Sequence, residues 1–199
     1  MPFSACAAGR LVPRCDAPMS APCTVRPYVE SDWSELLAAV TESSQRLIPW
    51  MPWCHPGYSE QEARAWIRTT IDGHATQTMF DFAVFDAQGR FSGACGINQI
   101  RGTDRCANLG YWIRSSACNR GLASVATQLV VRWAFPNTNL HRLEILAAVT
   151  NTASQRVALK VNAHFEGKLR GRMMLAGVPT DAYLYSIVRG DVDLGASNV

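Results

Sequence analysis

Hydrophobic positions begin to repeat at Thr24. Thr24–Tyr28 reads as a short strand, and Ser31 or Asp32 offers a cap for a helix with Trp33, Leu36, Leu37 and Val40 on one face. The stretch Ile48-Pro49-Trp50-Met51-Pro52-Trp53-Cys54-His55-Pro56-Gly57 cannot continue that helix, because its prolines lack backbone donors and clash with the preceding turn. Ser59-Glu60-Gln61-Glu62 has the form of a capping box, with Ala63, Trp66, Ile67 and Ile71 as the buried stripe of a second helix. Phe80, Phe82 and Val84 alternate as a strand, Asp86-Ala87-Gln88-Gly89 turns the chain, and Phe91–Ile100 returns. A polar hairpin over Arg101–Arg105 leads to Asn108–Arg114, where Leu109, Tyr111 and Ile113 alternate. A helix follows from about Arg120 to Phe135, carrying Leu122, Val125, Ala126, Leu129, Val130 and Trp133 at helical spacing. Arg142–Val149 reads as a strand, Thr152–Val161 as a helix, and Ala163–Met173 and Ala182–Val188 as the last strands. This order predicts one mixed α/β sheet with helices on both faces.

Composition narrows the class. The chain has 199 residues, 48% hydrophobic and 18% charged, enough for one domain with a full core and no need of disulfides or metals. No run of 18 apolar residues is present, so no membrane partner is expected. The net charge is +3, and its Lys and Arg residues form no basic block, so no nucleic-acid partner is expected either. The seven cysteines form no CxxC pair, and His55, His74, His141 and His164 show no metal spacing, so no metal is expected. An odd cysteine count reads as free thiols in a reducing compartment, hence a cytoplasmic location; a secreted disulfide framework is the alternative. Residues 1–23 argue against secretion, since they hold Pro2, Pro13, Pro18 and Pro22 and no unbroken apolar core. They are expected to form a mobile leader, with a single domain over 24–190 and a tail over 191–199.

The chemically informative stretch is Leu109-Gly-Tyr-Trp-Ile-Arg-Ser-Ser-Ala-Cys-Asn-Arg-Gly-Leu-Ala-Ser124. A strand ends at Arg114, and a short loop enters a helix at Gly121. The first amides of a helix are unpaired and its dipole favours an anion, while a glycine lets a phosphate approach the backbone. Spacing alone fits a phosphate site or a plain loop-to-helix junction equally well.

The order of blocks resembles the acetyl-CoA site of the GCN5-related N-acetyltransferases: strand, Arg/Gln-x-x-Gly-x-Gly/Ala, helix, strand, Asn, helix. Leu109–Arg114, His141-Arg-Leu-Glu-Ile145, Asn151-Thr-Ala-Ser154, Glu166-Gly167 and the early Pro-Trp-Met-Pro-Trp segment resemble its Rim-type branch, which acetylates N-termini of ribosomal proteins. The resemblance covers about residues 24–190. It implies a mostly antiparallel mixed sheet with a central parallel, splayed strand pair. The pyrophosphate would sit on amides of Asn119, Arg120, Gly121, Leu122 and Ala123, and the pantetheine arm would follow Trp112, Ile113 and Arg114. Asn151 would hold that arm. Arg120 would add charge near the phosphates, or be a solvated helix-start arginine. Cys118 stands where the family most often has Arg or Gln, and Asn119 replaces the usual Gly, a substitution that Asn's tolerance of left-handed φ permits. The branch also suggests a homodimer.

An amine must lose a proton before it attacks a thioester, since its unperturbed pKa is roughly 8 to 10. A carboxylate can take that proton. Glu144 occupies a base position of some relatives; the alternative is an ion pair with an arginine such as Arg142 or Arg114. Ser154 matches a serine that gives a proton to departing CoA in some Rim-type enzymes, or is simply a first-turn helix serine. Two departures stand out. Ala158 replaces a common tyrosine donor, and Met173 replaces a glutamate used by some Rim-type enzymes. Asn98 and Gln99 would face the substrate, and Trp50 and Trp53 would wall the acceptor pocket or pack their loop onto the sheet. The resulting expectation is acetyl transfer from acetyl-CoA to a primary amine, on a protein N-terminus or a small molecule, within one ternary complex. A non-catalytic acyl-CoA sensor and an antibiotic- or toxin-resistance acetyltransferase are the alternatives.

Overall fold

A computed structural model describes residues 23–192. Residues 1–22 and 193–199, most of the expected leader and tail, lie outside the described residues. Two boundaries move at the residue level. Cys23 is buried in the main core, and Val192 packs against that core, because both lie against the α3 side of the sheet.

The strands are β1 (Thr24–Pro27), β2 (Phe80–Phe85), β3 (Phe91–Arg101), β4 (Cys106–Ile113), β5 (Arg142–Ala148), β6 (His164–Leu175) and β7 (Val178–Val188). The helices are α1 (Trp33–Leu47), α2 (Glu60–Thr76), α3 (Leu122–Asn137) and α4 (Thr152–Lys160). All seven strands form one sheet in the order β1-β2-β3-β4-β5-β7-β6. Every neighbouring pair is antiparallel except β4 and β5. No helix among the described residues is long and apolar enough to cross a membrane.

The sheet is covered on both sides. Helices α3 and α4 bury Leu122, Ala126, Val130 and Ala158 against Cys95, Ile97, Leu109, Leu143 and Ile145. On the other side α1 and α2 bury Leu36, Val40, Ala63 and Ile67 against Ala83, Phe91 and Ala94. Helix α2 starts as its sequence dictates. Ser59 Oγ accepts from the Glu62 amide at 3.3 Å, and Glu62 Oε2 accepts from the Ser59 amide at 2.8 Å. The expected stripe is corrected at one position: Ala63, Ile67, Thr70 and Gly73 are buried, whereas Trp66 lies at the stripe's edge and is 36% exposed.

The last two strands are longer than the hydrophobic alternation predicts. They join at Ala176 and Gly177, with φ of 47° and 77°, the left-handed pair of a tight hairpin turn. An alanine in a position that favours Asn or Gly conceals that turn in the sequence.

The feature that positions the site is the short β4–β5 ladder. Only Cys106–Arg142, Ala107–Leu143 and Asn108–Glu144 pair. Beyond Asn108 the strands separate, so β4 from Leu109 onward presents an edge that β5 does not pair.

Candidate active site

One groove opens at this splay. Trp112 and Ile113 of β4 line it, followed by Cys118, Asn119, Gly121, Leu122 and Ala123 at the start of α3. Asn119 has φ 60°, as its residue type allows, and Gly121 has φ 79° as the N-cap of α3. The amides of Asn119 to Ala123 donate to no other group among the described residues. They are free to receive an anion at the positive end of the helix dipole. The opposite wall is α4, which supplies Asn151, Ser154, Arg156 and Lys160. Asn151 Oδ1 accepts from the Ser154 amide at 3.1 Å, which caps α4 and fixes where Ser154 points. The groove has a volume of about 450 Å³.

The cations differ from the sequence expectation. Arg120 reaches Asp86 Oδ2 at 3.4 Å, and Arg114 binds Glu42 at 3.0 Å and the Phe91 carbonyl at 2.9 Å. Both arginines are therefore engaged away from the groove, and neither side chain lines it. Arg46 from α1 joins Arg156 and Lys160 there instead. Arg156 and Lys160 are one turn apart on α4, but Arg46 is over a hundred residues away, so only the fold brings it to the same groove.

A second cavity of about 480 Å³ lies under α1, α2 and the proline-rich loop. Its aromatic walls include Trp53, Tyr58, Trp66 and Trp112, and its polar groups include Glu62, Asp81, Asn98 and Asn108. Trp53 packs at 6.0 Å from both Tyr58 and Trp112. Asn108 Nδ2 donates to Asn98 Oδ1 at 2.9 Å, which fixes both amides at the cavity edge. The two cavities share Met51, Tyr111 and Trp112 as lining residues.

Several expected substrate residues fall elsewhere. Trp53 and Asn98 line the aromatic cavity, whereas Trp50 lines the groove at the splay. Gln99 is exposed, with φ 50° at an irregularity in the β3–β4 ladder, and lines neither cavity. The left-handed turn at Gln99 breaks the ladder just after Asn98, so the two neighbours do not share a cavity.

Glu144 makes the arginine ion pairs that the sequence offers as the alternative to a base role. Its carboxylate accepts from Arg101 at 2.8 Å and from Arg142 at 2.9 Å, and it lines neither cavity. Partial burial pushes its pKa up, but the two guanidiniums outweigh that and hold it below the ordinary range. The cause is topological: Glu144 pairs with Asn108 at the closed end of the splay, where Arg101 crosses from β3. Glu144→Gln is expected to change kcat less than threefold, measured as CoA release at pH 7.5. A loss of 100-fold or more would return Glu144 to the base role.

Sequence reasoning missed Tyr111 as a site residue. Its hydroxyl donates to the Ser154 carbonyl at 2.9 Å and meets Ser154 Oγ at 3.1 Å. Burial pushes the phenol well above its ordinary pKa, so it stays protonated. Its alternation with Leu109 and Ile113 reads as core packing, which hides the polar end.

A match to the acetyltransferase (GNAT) domain covers residues 23–164. The chain belongs to this family of acetyl-CoA-dependent N-acetyltransferases. It is 26% identical over 173 residues to YdaF of Bacillus subtilis, a protein named provisionally as a ribosomal N-acetyltransferase, covering 83% of this chain and 91% of that one. Among solved structures it is similar to RimL, the ribosomal L7/L12 alpha-N-protein acetyltransferase in complex with coenzyme A, at TM-score 0.80 and 23% identity, covering 88% of this chain and 98% of that one. It also resembles the microcin C7 self-immunity acetyltransferase MccE, in complex with acetyl-CoA and AMP, at TM-score 0.78 and 20% identity, covering 83% and 92% of the two chains.

Proposed function

We propose that this acetyltransferase moves an acetyl group onto a primary amine by direct attack in a ternary complex, and that the amine is a protein N-terminus. The observation that carries this reading is the pair of cavities meeting at Met51, Tyr111 and Trp112. Acetyl-CoA lies in the splay groove with its pyrophosphate on the amides of Asn119 to Ala123 and near Arg46, Arg156 and Lys160. Its thioester reaches the shared wall, and the acceptor enters from the aromatic side. Two reactants held on opposite sides of one strand react without an acyl-enzyme, which leaves Cys118 with no nucleophilic role. Cys118 Sγ points back to the Arg114 carbonyl at 3.4 Å. Ser154, fixed by Tyr111 and the Asn151 cap, gives its proton to the departing thiolate. The protein-acceptor reading draws on the names of YdaF and RimL.

CoA release with acetyl-CoA and a panel of amines tests it. Peptides with a free N-terminus should turn over, and the same peptides with a blocked N-terminus should not. Turnover of small amines alone would replace the protein acceptor with a small-molecule one. Calorimetric binding of acetyl-CoA without turnover of any amine would instead make the chain a sensor.

A further inference from the structure

We propose that Asp81 receives the acceptor's ammonium group in the aromatic cavity and takes its proton, serving as the general base of the transfer. This rests on the acetyl-transfer reading above and goes beyond it by naming the residue that activates the amine.

Asp81 lies on β2 and is only 6% exposed, yet its carboxylate accepts no hydrogen bond and forms no ion pair with any described residue. Its backbone pairs with β3, and its carbonyl meets His74 Nε2 at 2.9 Å. A buried carboxylate without partners costs stability, and a catalytic role is one of the reasons a fold retains such a group. Asp81 opens into the cavity beside Gly96, Asn98 and Asn108.

The sheet keeps a path clear from this carboxylate to the splay. In the strand register Asp81 pairs with Gly96, and Gly96 pairs with Gly110 on β4. A Cβ on Gly96 would lie 2.4 Å from the Asp81 carboxylate, so the carboxylate rests over the β3 backbone. Gly110, the next residue across the sheet, also has no side chain and lies just beyond Asn108, where β4 and β5 separate. One strand spacing is about 4.8 Å. An amine placed over Gly110 is therefore about one strand spacing from the Asp81 carboxylate, a gap that a small shift or one water spans, and it lies beside the strand edge where the thioester would sit.

The electrostatic setting favours a cation. No lysine, arginine or histidine lines the cavity, and three tryptophans and two tyrosines do. The titratable groups that interact with Asp81 or share its cavity are Tyr28 after β1, Tyr58 in the proline-rich loop, Glu62 and His74 of α2, Cys95 of β3 and Tyr111 of β4. Two carboxylates reach the cavity, and their environments separate their roles. Hydrogen bonds from Ser59 and His55 hold Glu62 down at about 2, so it is a poor base. Burial alone pushes Asp81 up to about 7, near the operating pH of a general base.

The proton account closes. The Asp81 carboxylate takes one proton from the ammonium, and the freed lone pair forms the new C–N bond at the thioester carbonyl. The C–S bond breaks with its electron pair on sulfur. The second N–H proton, lost as the amide forms, reaches that sulfur through the Ser154 hydroxyl. Asp81 returns its proton to water at the cavity mouth.

The test is Asp81→Asn, assayed by CoA release with acetyl-CoA and a free N-terminal peptide from pH 5.5 to 9, together with Tm at pH 4.5 and pH 8. The expected results are a fall in kcat of about 100-fold and loss of the rise in kcat/KM that centres near pH 7 in the wild type. A raised folded-state pKa contributes stability that is present below the unfolded value of about 4 and lost as pH rises through the folded one. Asp81→Asn should accordingly melt higher than the wild type at pH 8 but not at pH 4.5. A variant that keeps more than a third of wild-type kcat and the same pH rise overturns the base assignment alone. A wild type that acetylates no amine overturns the acetyl-transfer reading and this assignment together.

Discussion

Ser154→Ala is expected to lower kcat about 100-fold while leaving acetyl-CoA affinity within twofold of the wild type. The hydroxyl is held from two sides: Asn151 Oδ1 fixes its helix turn, and Tyr111 meets Ser154 Oγ at 3.1 Å. Because the Tyr111 hydroxyl donates to the Ser154 carbonyl, its oxygen is left to accept from Ser154 Oγ, and the serine proton is already oriented toward the shared wall of the two cavities. A thiol has an unperturbed pKa near 8.5, so a departing thiolate at neutral pH gains from a donor within reach. Removing the donor affects the transition state and not the bound cofactor, which separates kcat from Kd. Tyr111→Phe should show a smaller loss, about tenfold, because the serine stays but its orientation loosens. Equal losses of kcat and acetyl-CoA affinity in Ser154→Ala would instead make Ser154 a cofactor contact with no role in proton transfer.

The parts of the site written in local sequence were readable, and those made by register were not. The Ser59–Glu62 box and the Asn119–Gly121 loop specify their own backbone shapes, so the sequence places α2 and the start of α3 correctly. Asp81 sits between Phe80 and Phe82, where alternation marks it only as the residue facing away from them. Its importance arises from Gly96 lying opposite, a fact of strand pairing that a single strand cannot show. Arg156 and Lys160 share a face of α4 by their i,i+4 spacing, but no spacing rule links them to Arg46 of α1. Glu144 was conspicuous as a charge within a central strand, but the length of the β4–β5 ladder decides its role. Three paired residues place it at the closed end of the splay, within reach of Arg101 and Arg142.

Gly93→Val is expected to lower Tm by roughly 10 °C, the shift that about 3 kcal/mol produces in a domain of this size. Gly93 lies on β3 with φ 146°, a conformation strained for any side chain and most so for a β-branched one. A Cβ there would lie within 2.1 Å of the Trp112 carbonyl oxygen and 2.9 Å of the Ile113 Cα. Both are backbone atoms of β4, and Gly93 pairs directly with Ile113, so neither can withdraw without parting the two strands. The separation would fall at Trp112, which walls both the splay groove and the aromatic cavity. Acetyl-CoA affinity should therefore fall in whatever fraction of the variant remains folded. Gly102→Ala is the matched control: it lies in the β3–β4 hairpin, and an added Cβ meets nothing within 4 Å. It should leave Tm within about 2 °C of the wild type, as expected for a surface change away from any strained or packed feature. A Gly93→Val protein that melts with the wild type would mean that β3 and β4 tolerate separation at this point, and that Trp112 holds its place without the strand pair behind it.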